Sequence, residues 1–229
     1  PNSDEAYKWN GNAYVSLLYK QFKSRAFGNI KPLDIVQQCA FDTLTNNDIT
    51  VLFGKAGSGK TTLPLAYIMQ GIENRKFNKC HIVFSYDTLK NQKTLGFVKG
   101  DNQTKMLETG SLGGILASKF GDISEVQRLI ATGALDIVPT GNLRGIEFSD
   151  MVYVTEAQNL DSYTLKTLLQ RCKTGTKIIL DGDILEQCDT NRGVGLFKMI
   201  DIFKGYNGFG CVKLKSNYRN EISELADKM

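Results

Sequence analysis

The stretch Ile49-Thr50-Val51-Leu52-Phe53-Gly54-Lys55-Ala56-Gly57-Ser58-Gly59-Lys60-Thr61-Thr62 decides how this chain folds. Its second half, from Gly54 to Thr61, is the complete phosphate-cradling pattern G-x-x-x-x-G-K-[ST]. The apolar run before it reads as a strand. The run after it, Leu63-Pro64-Leu65-Ala66-Tyr67-Ile68-Met69, reads as a helix, and that strand–loop–helix context gives the motif its meaning. Glycines let backbone N–H groups turn inward around an anion with no Cβ in the way. The helix start adds its dipole and free N–H groups to the same pocket. Lys60 is placed to reach the β- and γ-phosphates of a nucleoside triphosphate, and the Thr61 hydroxyl to hold Mg²⁺. Gly54, Lys55, Ala56, Gly57, Ser58, Gly59 and Thr62 complete the expected cradle.

Outward from this loop, apolar runs recur at 81–85, 135–139, 151–155, 176–180 and 211–214, with helical stretches between them. Continuous aliphatic strands alternating with helices imply an α/β domain, a mainly parallel sheet with helices on both faces. Such sheets bind ligands at the carboxyl ends of their strands. Helices are expected at Ile35–Leu44, Gly114–Phe120, Ile123–Ala131, Ser162–Cys172, Gly195–Phe203 and Arg219–Met229. A further helix is expected around Tyr14 to Phe27, followed by a break at Gly28-Asn29-Ile30-Lys31-Pro32. The domain reading is therefore an N-terminal extension, 1–30, and a P-loop domain, 31–229.

With 229 residues, 41% apolar and 23% charged, the chain suits one generous globular domain. No apolar run approaches the length of a membrane span. Five scattered cysteines without a CxxC, and His81 as the one histidine, argue against a Cys/His metal cluster and for reduced cytosolic thiols. The net charge of +4 is concentrated between Ile72 and Lys105, where seven basic residues face three acidic ones. That window reads either as an unevenly charged surface or as a cationic loop for single-stranded nucleic acid, with Tyr86 and Phe97 for stacking.

After the strand Met151–Val154 come Thr155-Glu156-Ala157-Gln158-Asn159-Leu160. An acid at a strand tip about a hundred residues beyond the P-loop suits a carboxylate that approaches Mg²⁺ or activates water, so Glu156 is the candidate general base. A helix N-cap at Thr155 would give the same residue pattern. A later strand ends in Leu180-Asp181-Gly182-Asp183, with Gln187 beyond it, a cluster placed to sense a γ-phosphate or to form a solvated turn.

Taken together, these motifs resemble the PhoH family, RecA-like P-loop ATPases related to superfamily 1 helicases. The likeness is carried by the P-loop, Leu143-Arg144-Gly145, Glu156-Ala157-Gln158-Asn159-Leu160, Leu169-Gln170-Arg171, Gly182-Asp183 with Gln187, and Gly96-Phe97-Val98-Lys99-Gly100-Asp101. It implies that Gln37 contacts adenine and that Asp183 and Gln187 couple γ-phosphate sensing to movement. It also implies that Arg219 reaches phosphate within the subunit or across a ring interface. Arg144 and Arg171 match further family arginines. Two departures stand out. The family's Walker B pair is Asp-Glu, whereas Thr155 occupies the first position here; its hydroxyl can hydrogen-bond the water shell of Mg²⁺ but supplies no charge, which implies weaker Mg²⁺ affinity and slower hydrolysis. The family's Arg-Pro after the second strand is Tyr86-Asp87 here. Some members carry an N-terminal PIN nuclease; thirty residues before Lys31 are too few for one, so no ribonuclease activity is expected. The resulting expectation is a cytoplasmic Mg²⁺-dependent ATPase that works on RNA or another nucleic acid as a ring-forming homo-oligomer. The competing expectation is an ATP-binding switch or assembly module with weak hydrolysis.

Overall fold

The computed structural model describes residues 5–9, 12–55, 57–84, 116, 118, 123–183, 194–216 and 218. Six parallel strands form the central sheet: β5 (Ile49–Gly54), β6 (Cys80–Phe84), β7 (Leu135–Pro139), β8 (Met151–Val154), β9 (Lys177–Gly182) and β10 (Phe209–Leu214). Their spatial order is β10-β5-β9-β8-β6-β7. Every one of these strands is legible as an aliphatic run, because a strand buried on both faces has no polar alternation to confuse it.

Alternate residues feed two cores. Leu52, Ile82, Tyr153 and Ile179 face α1 (Ile35–Asn46), α2 (Thr62–Glu73) and α3 (Ile123–Ala131). Val51, Val83, Val152, Val154, Ile178 and Leu180 face α4 (Ser162–Leu169) and α5 (Val194–Phe203). Helices therefore cover both faces, as the sequence implies. Helix α2 is buried nearly all round, from Leu63 through Met69. It is apolar on every side because it lies between the sheet and the N-terminal segment.

That segment corrects one expectation. Instead of a helix from Tyr14 to Phe27, the chain forms β2 (Tyr14–Ser16), paired with β1 (Tyr7–Trp9), and a hairpin of β3 (Phe22–Ser24) and β4 (Gly28–Ile30). The helical spacing of apolar residues there is coincidental, since Leu18 is 85% exposed and not part of any buried face. What decides the local structure is Phe22, which stacks on Phe41 with ring centroids 4.1 Å apart and is 2% exposed. A positive φ of 64° at Gly28 completes the turn. The Arg25 N–H is held by both carboxylate oxygens of Glu73, at 2.9 and 3.0 Å. The expected helices at 114–120 and 219–229 lie outside the described residues, apart from helical Leu116 and Ser118.

His81 and Asp136 pair across β6 and β7 in direct register, Nδ1 to Oδ2 at 3.0 Å, with Lys79 3.4 Å from the same oxygen. The His81 hydrogen bond, more than the neighbouring Lys79, draws the Asp136 carboxyl down from 3.8 to about 2. No helix among the described residues is long and apolar enough to cross a membrane.

Two outcomes are expected. Phe22→Ala lowers stability by about 3–5 kcal/mol in chemical denaturation, because it empties a closed aromatic site; a loss under about 1 kcal/mol would show that the N-terminal hairpin is a loose appendage. Asp136 has a folded pKa below its unfolded one, so its stabilisation is complete above the unfolded value and disappears as pH falls toward about 2. Denaturation of Asp136→Asn against the parent should give a stability gap near neutral pH that closes at acid pH.

Candidate nucleotide-binding site

The P-loop leaves β5 at Gly54, where a Cβ would come within 2.5 Å of the Leu214 carbonyl oxygen on the neighbouring strand. A side chain there would separate β5 from β10. Gly57 and Gly59 take φ of 80° and 92°, backbone that other residues rarely adopt. The Gly59 carbonyl accepts the Leu63 N–H at 3.0 Å and opens α2, and Lys60 and Thr61 stand at that helix N-terminus. Ala56 lies outside the described residues.

Two elements brace the loop from behind. Gln37 is 3% exposed; its Nε2 donates to the Ser58 carbonyl at 3.2 Å and its Oε1 accepts the Leu33 N–H at 2.9 Å. Both ends of the amide that the family resemblance assigns to adenine thus hold the loop and the entry to α1. On the other side, the Tyr218 N–H donates to the Gly57 carbonyl at 3.0 Å. The Tyr218 hydroxyl and Ser216 Oγ donate to Asp34 at 2.6 and 3.0 Å, and Asp34 also caps α1 by accepting the Gln37 N–H at 2.7 Å. Burial opposes ionisation of Asp34, yet these hydrogen bonds prevail and hold its carboxyl below the usual range. Sequence reasoning does not single out Asp34 or Tyr218; only the tertiary fold brings residues so distant in the chain together.

Glu156 follows β8 in left-handed backbone, φ 53° and ψ 44°, a conformation that costs a non-glycine residue on the order of 1 kcal/mol. Asp181 holds it there. This carboxylate, on β9 between the P-loop strand and the Glu156 strand, is wholly buried. It accepts the Tyr153 hydroxyl at 2.6 Å and the Glu156 N–H at 2.9 Å. Burial first, then the Glu156 charge, pushes its carboxyl up to about 6, against the pull of hydrogen bonds from Tyr153, the Glu156 N–H and Thr61. Gln158, 2% exposed, ties the tips of β8 and β9 together. Its Nε2 donates to Glu156 Oε2 at 2.7 Å, and its Oε1 accepts the Asp183 N–H at 3.0 Å. Gly182 leaves room for this clasp, since a Cβ there would lie 2.7 Å from Gln158 Oε1.

Of the expected site residues, the structure brings Lys60, Thr61, Thr62, Glu156 and Asp183 to one end of the sheet, with Thr155 beside them. Gln187 and Arg219 lie outside the described residues. Thr155 caps no helix: α4 begins later, capped by Asp161, which accepts the Thr164 N–H at 2.7 Å. Thr155 Oγ1 is buried without a well-formed hydrogen bond; burial, then the Asp181 charge, pushes the nearby Tyr153 hydroxyl well up, against a smaller opposing pull from Thr155. Ser58 Oγ is likewise buried without a partner. A hard divalent cation that keeps several waters and takes one or two carboxylates suits this oxygen-only set of Thr61, Glu156 and Asp181. In the sequence Asp181 appears only as a member of the Leu180-Asp181-Gly182-Asp183 cluster, and its place directly after Ile178-Ile179-Leu180 is the signal that could have marked it as buried.

The basic window is described only as far as Phe84. Lys76 donates to the Tyr67 hydroxyl at 3.0 Å, and Lys79 pairs with Asp136. Both precede β6, at the sheet end opposite the P-loop. Arg144 is exposed and stacks on Tyr163, its Nη2 donating to the Tyr163 hydroxyl at 2.9 Å.

A glycine loop between a central parallel strand and a helix, faced by strand-tip carboxylates, defines a P-loop nucleotide-binding domain. A family model for PhoH-like proteins matches residues 29–227. The chain belongs to the PhoH family. It is 30% identical to Protein PhoH2 of Bacillus subtilis (strain 168) over 218 residues, which are 90% of this chain and 48% of that protein. PhoH2 of Mycolicibacterium smegmatis is 26% identical over 198 residues, 84% of this chain and 45% of its own length. The chain spans about half the length of these curated relatives. Among solved structures, it is similar to the large terminase of a thermophilic bacteriophage (TM-score 0.46, 10% identity, 81% of this chain and 45% of that one). It is also similar to the DUF1998 helicase MrfA bound to DNA and AMPPNP (TM-score 0.43, 12% identity, 84% of this chain and 28% of that one).

Asp34→Ala removes an N-cap and both tethers to the segment after β10. The expected result is a stability loss of about 1–2 kcal/mol together with weaker binding of a fluorescent ATP analogue. Unchanged nucleotide affinity in a destabilised variant would show that the clasp serves the fold alone.

Proposed function

We propose that this chain hydrolyses ATP in the presence of Mg²⁺ and couples the hydrolysis to binding or remodelling of RNA or other single-stranded nucleic acid, as a helicase-like homo-oligomeric ring. The observation that carries the catalytic half is the meeting of Thr61, Asp181 and Glu156 where β5, β9 and β8 end side by side. Lys60 offsets charge developing on the β- and γ-phosphates. Bound Mg²⁺ supplies further charge neutralisation on the phosphate oxygens. Glu156 takes the proton from the attacking water, its carboxylate held in place by Gln158. Because the Gln158 amide also carries the Asp183 N–H, a shift of the β9 tip on γ-phosphate loss moves the base as well. Asp183 and Gln187 therefore form the sensing element. Arg219, one residue past the Tyr218 that binds the P-loop carbonyl, contributes to phosphate binding within the subunit or across the ring.

Nucleic acid falls to the basic window, and within it to Arg75, Lys90, Lys93, Lys99 and Lys105, since Lys76 and Lys79 already serve the fold. In such a ring a neighbouring copy would present its surface, and its arginine, to this P-loop site. A second reading, an ATP-dependent assembly switch with little turnover, is favoured by Thr155 at the Walker B position.

Phosphate release with and without single-stranded RNA separates the two. The expected outcome is turnover stimulated by RNA, with Lys60→Ala abolishing nucleotide binding and Glu156→Gln lowering turnover by about 100-fold or more while nucleotide still binds. Tight ATP binding with no turnover under any condition, and sedimentation that changes with nucleotide, would establish the switch instead.

A further inference from the structure

Thr155 leaves the Walker B position without its first carboxylate, yet the structure carries a buried carboxylate one strand away. In the parallel pairing of β8 with β9, Val154 is opposite Leu180, so Thr155 and Asp181 are next-in-line neighbours across the two strands. Asp181 is also opposite Leu52 on β5, two residues before Gly54 opens the P-loop. It is the nearer of the two positions to the loop, because β9 lies between β8 and β5. Its side chain is wholly buried and fixed by the Tyr153 hydroxyl and the Glu156 N–H, with the Thr61 hydroxyl within interaction reach. Beside it, Thr155 is 4% exposed and its Oγ1 has no hydrogen-bond partner. A hydroxyl in that state is one that an ordered water would satisfy.

We infer that Asp181 supplies the carboxylate that orders the water shell of the nucleotide-bound Mg²⁺, in place of the missing Walker B aspartate, and that Thr155 adds a hydroxyl to the same shell. The inference rests on the triphosphate-site reading above. Chemically, the function needs a negative charge next to the Thr61 hydroxyl and the Glu156 backbone, and either strand can deliver it. On this view the metal site has not lost charge; the charge has moved one strand toward the P-loop.

The test is binding of mantADP to the full chain, in EDTA and across a MgCl2 titration, with melting temperature recorded for each protein. In Asp181→Asn, the Mg²⁺ concentration for half-maximal enhancement of mantADP binding, taken relative to that variant's own affinity in EDTA, should rise by about tenfold or more. Adding Thr155→Asp to Asp181→Asn should recover most of that shift. An unchanged Mg²⁺ dependence, or equal weakening with and without metal, overturns the inference and leaves Asp181 a structural residue. Should Asp181→Asn fail to fold, the exchanged pair Thr155→Asp with Asp181→Thr answers in its place: parent-like Mg²⁺ dependence supports the relocation, and its loss overturns it. A parent protein that binds no mantADP under any condition overturns the nucleotide site itself, an outcome distinct from binding that ignores Asp181.

Discussion

The site depends on strand β9 lying between β5 and β8. Parallel pairing on both sides fixes its register to within a residue, since a slip of one would turn Asp181 into the opposite core and bring Leu180 to the phosphate end. With the register fixed, one carboxylate meets Tyr153 from the strand on one side and lies next to the start of α2 from the strand on the other. The loop after β8, the loop after β9 and the P-loop then share a single polar knot. Gln158 extends it to Asp183, and Gln37 and Asp34 brace its back.

Such a knot is expensive in the absence of ligand. Burial strips an acid of its water, and here desolvation outweighs the hydrogen bonds by enough to raise the Asp181 carboxyl to about 6 while leaving it charged at neutral pH. Glu156 adds left-handed strain, and two buried hydroxyls, Ser58 and Thr155, remain without partners. Each is a departure from what stability alone would favour, and all lie at one end of the sheet. The two apolar cores, by contrast, show ordinary close packing of aliphatic side chains on both faces. Left-handed backbone alone does not mark the place, since Arg75 and Asp150 take it before β6 and β8 as well; the raised acid and the two buried hydroxyls do, and they suit a site for a charged ligand.

The sequence made some of this legible and hid the rest for physical reasons. Six strands and five helices can be read because a doubly covered parallel sheet needs unbroken aliphatic runs, and the P-loop can be read because its glycines answer to local geometry. The order β10-β5-β9-β8-β6-β7 cannot, because local residues do not record which strand lies beside which. Asp181 therefore looks like one more acid in a turn, although its place after Ile178-Ile179-Leu180 hints at burial. The helix expected at Tyr14–Phe27 fails for the complementary reason. Its spacing is helical, but Phe22 gains more by entering the aromatic cluster of Phe41 and Tyr67 than a helix with one face uncovered could gain.

Strand adjacency also governs how a P-loop site tolerates change at the Walker B position. A carboxylate is recognised by where its charge lies and by what holds it, and neighbouring parallel strands end at nearly the same height above the phosphate. Replacing the acid on the outer strand by threonine keeps a hydroxyl there that can still bind water, while an acid on the inner strand keeps the charge. What differs is the holder. On β9 the carboxylate also accepts the Glu156 N–H, so the group that orders the metal shell and the group that positions the base become one residue. On the proposed reading, charge at the metal and geometry at the attacking water are coupled through Asp181, and neither can be adjusted without the other.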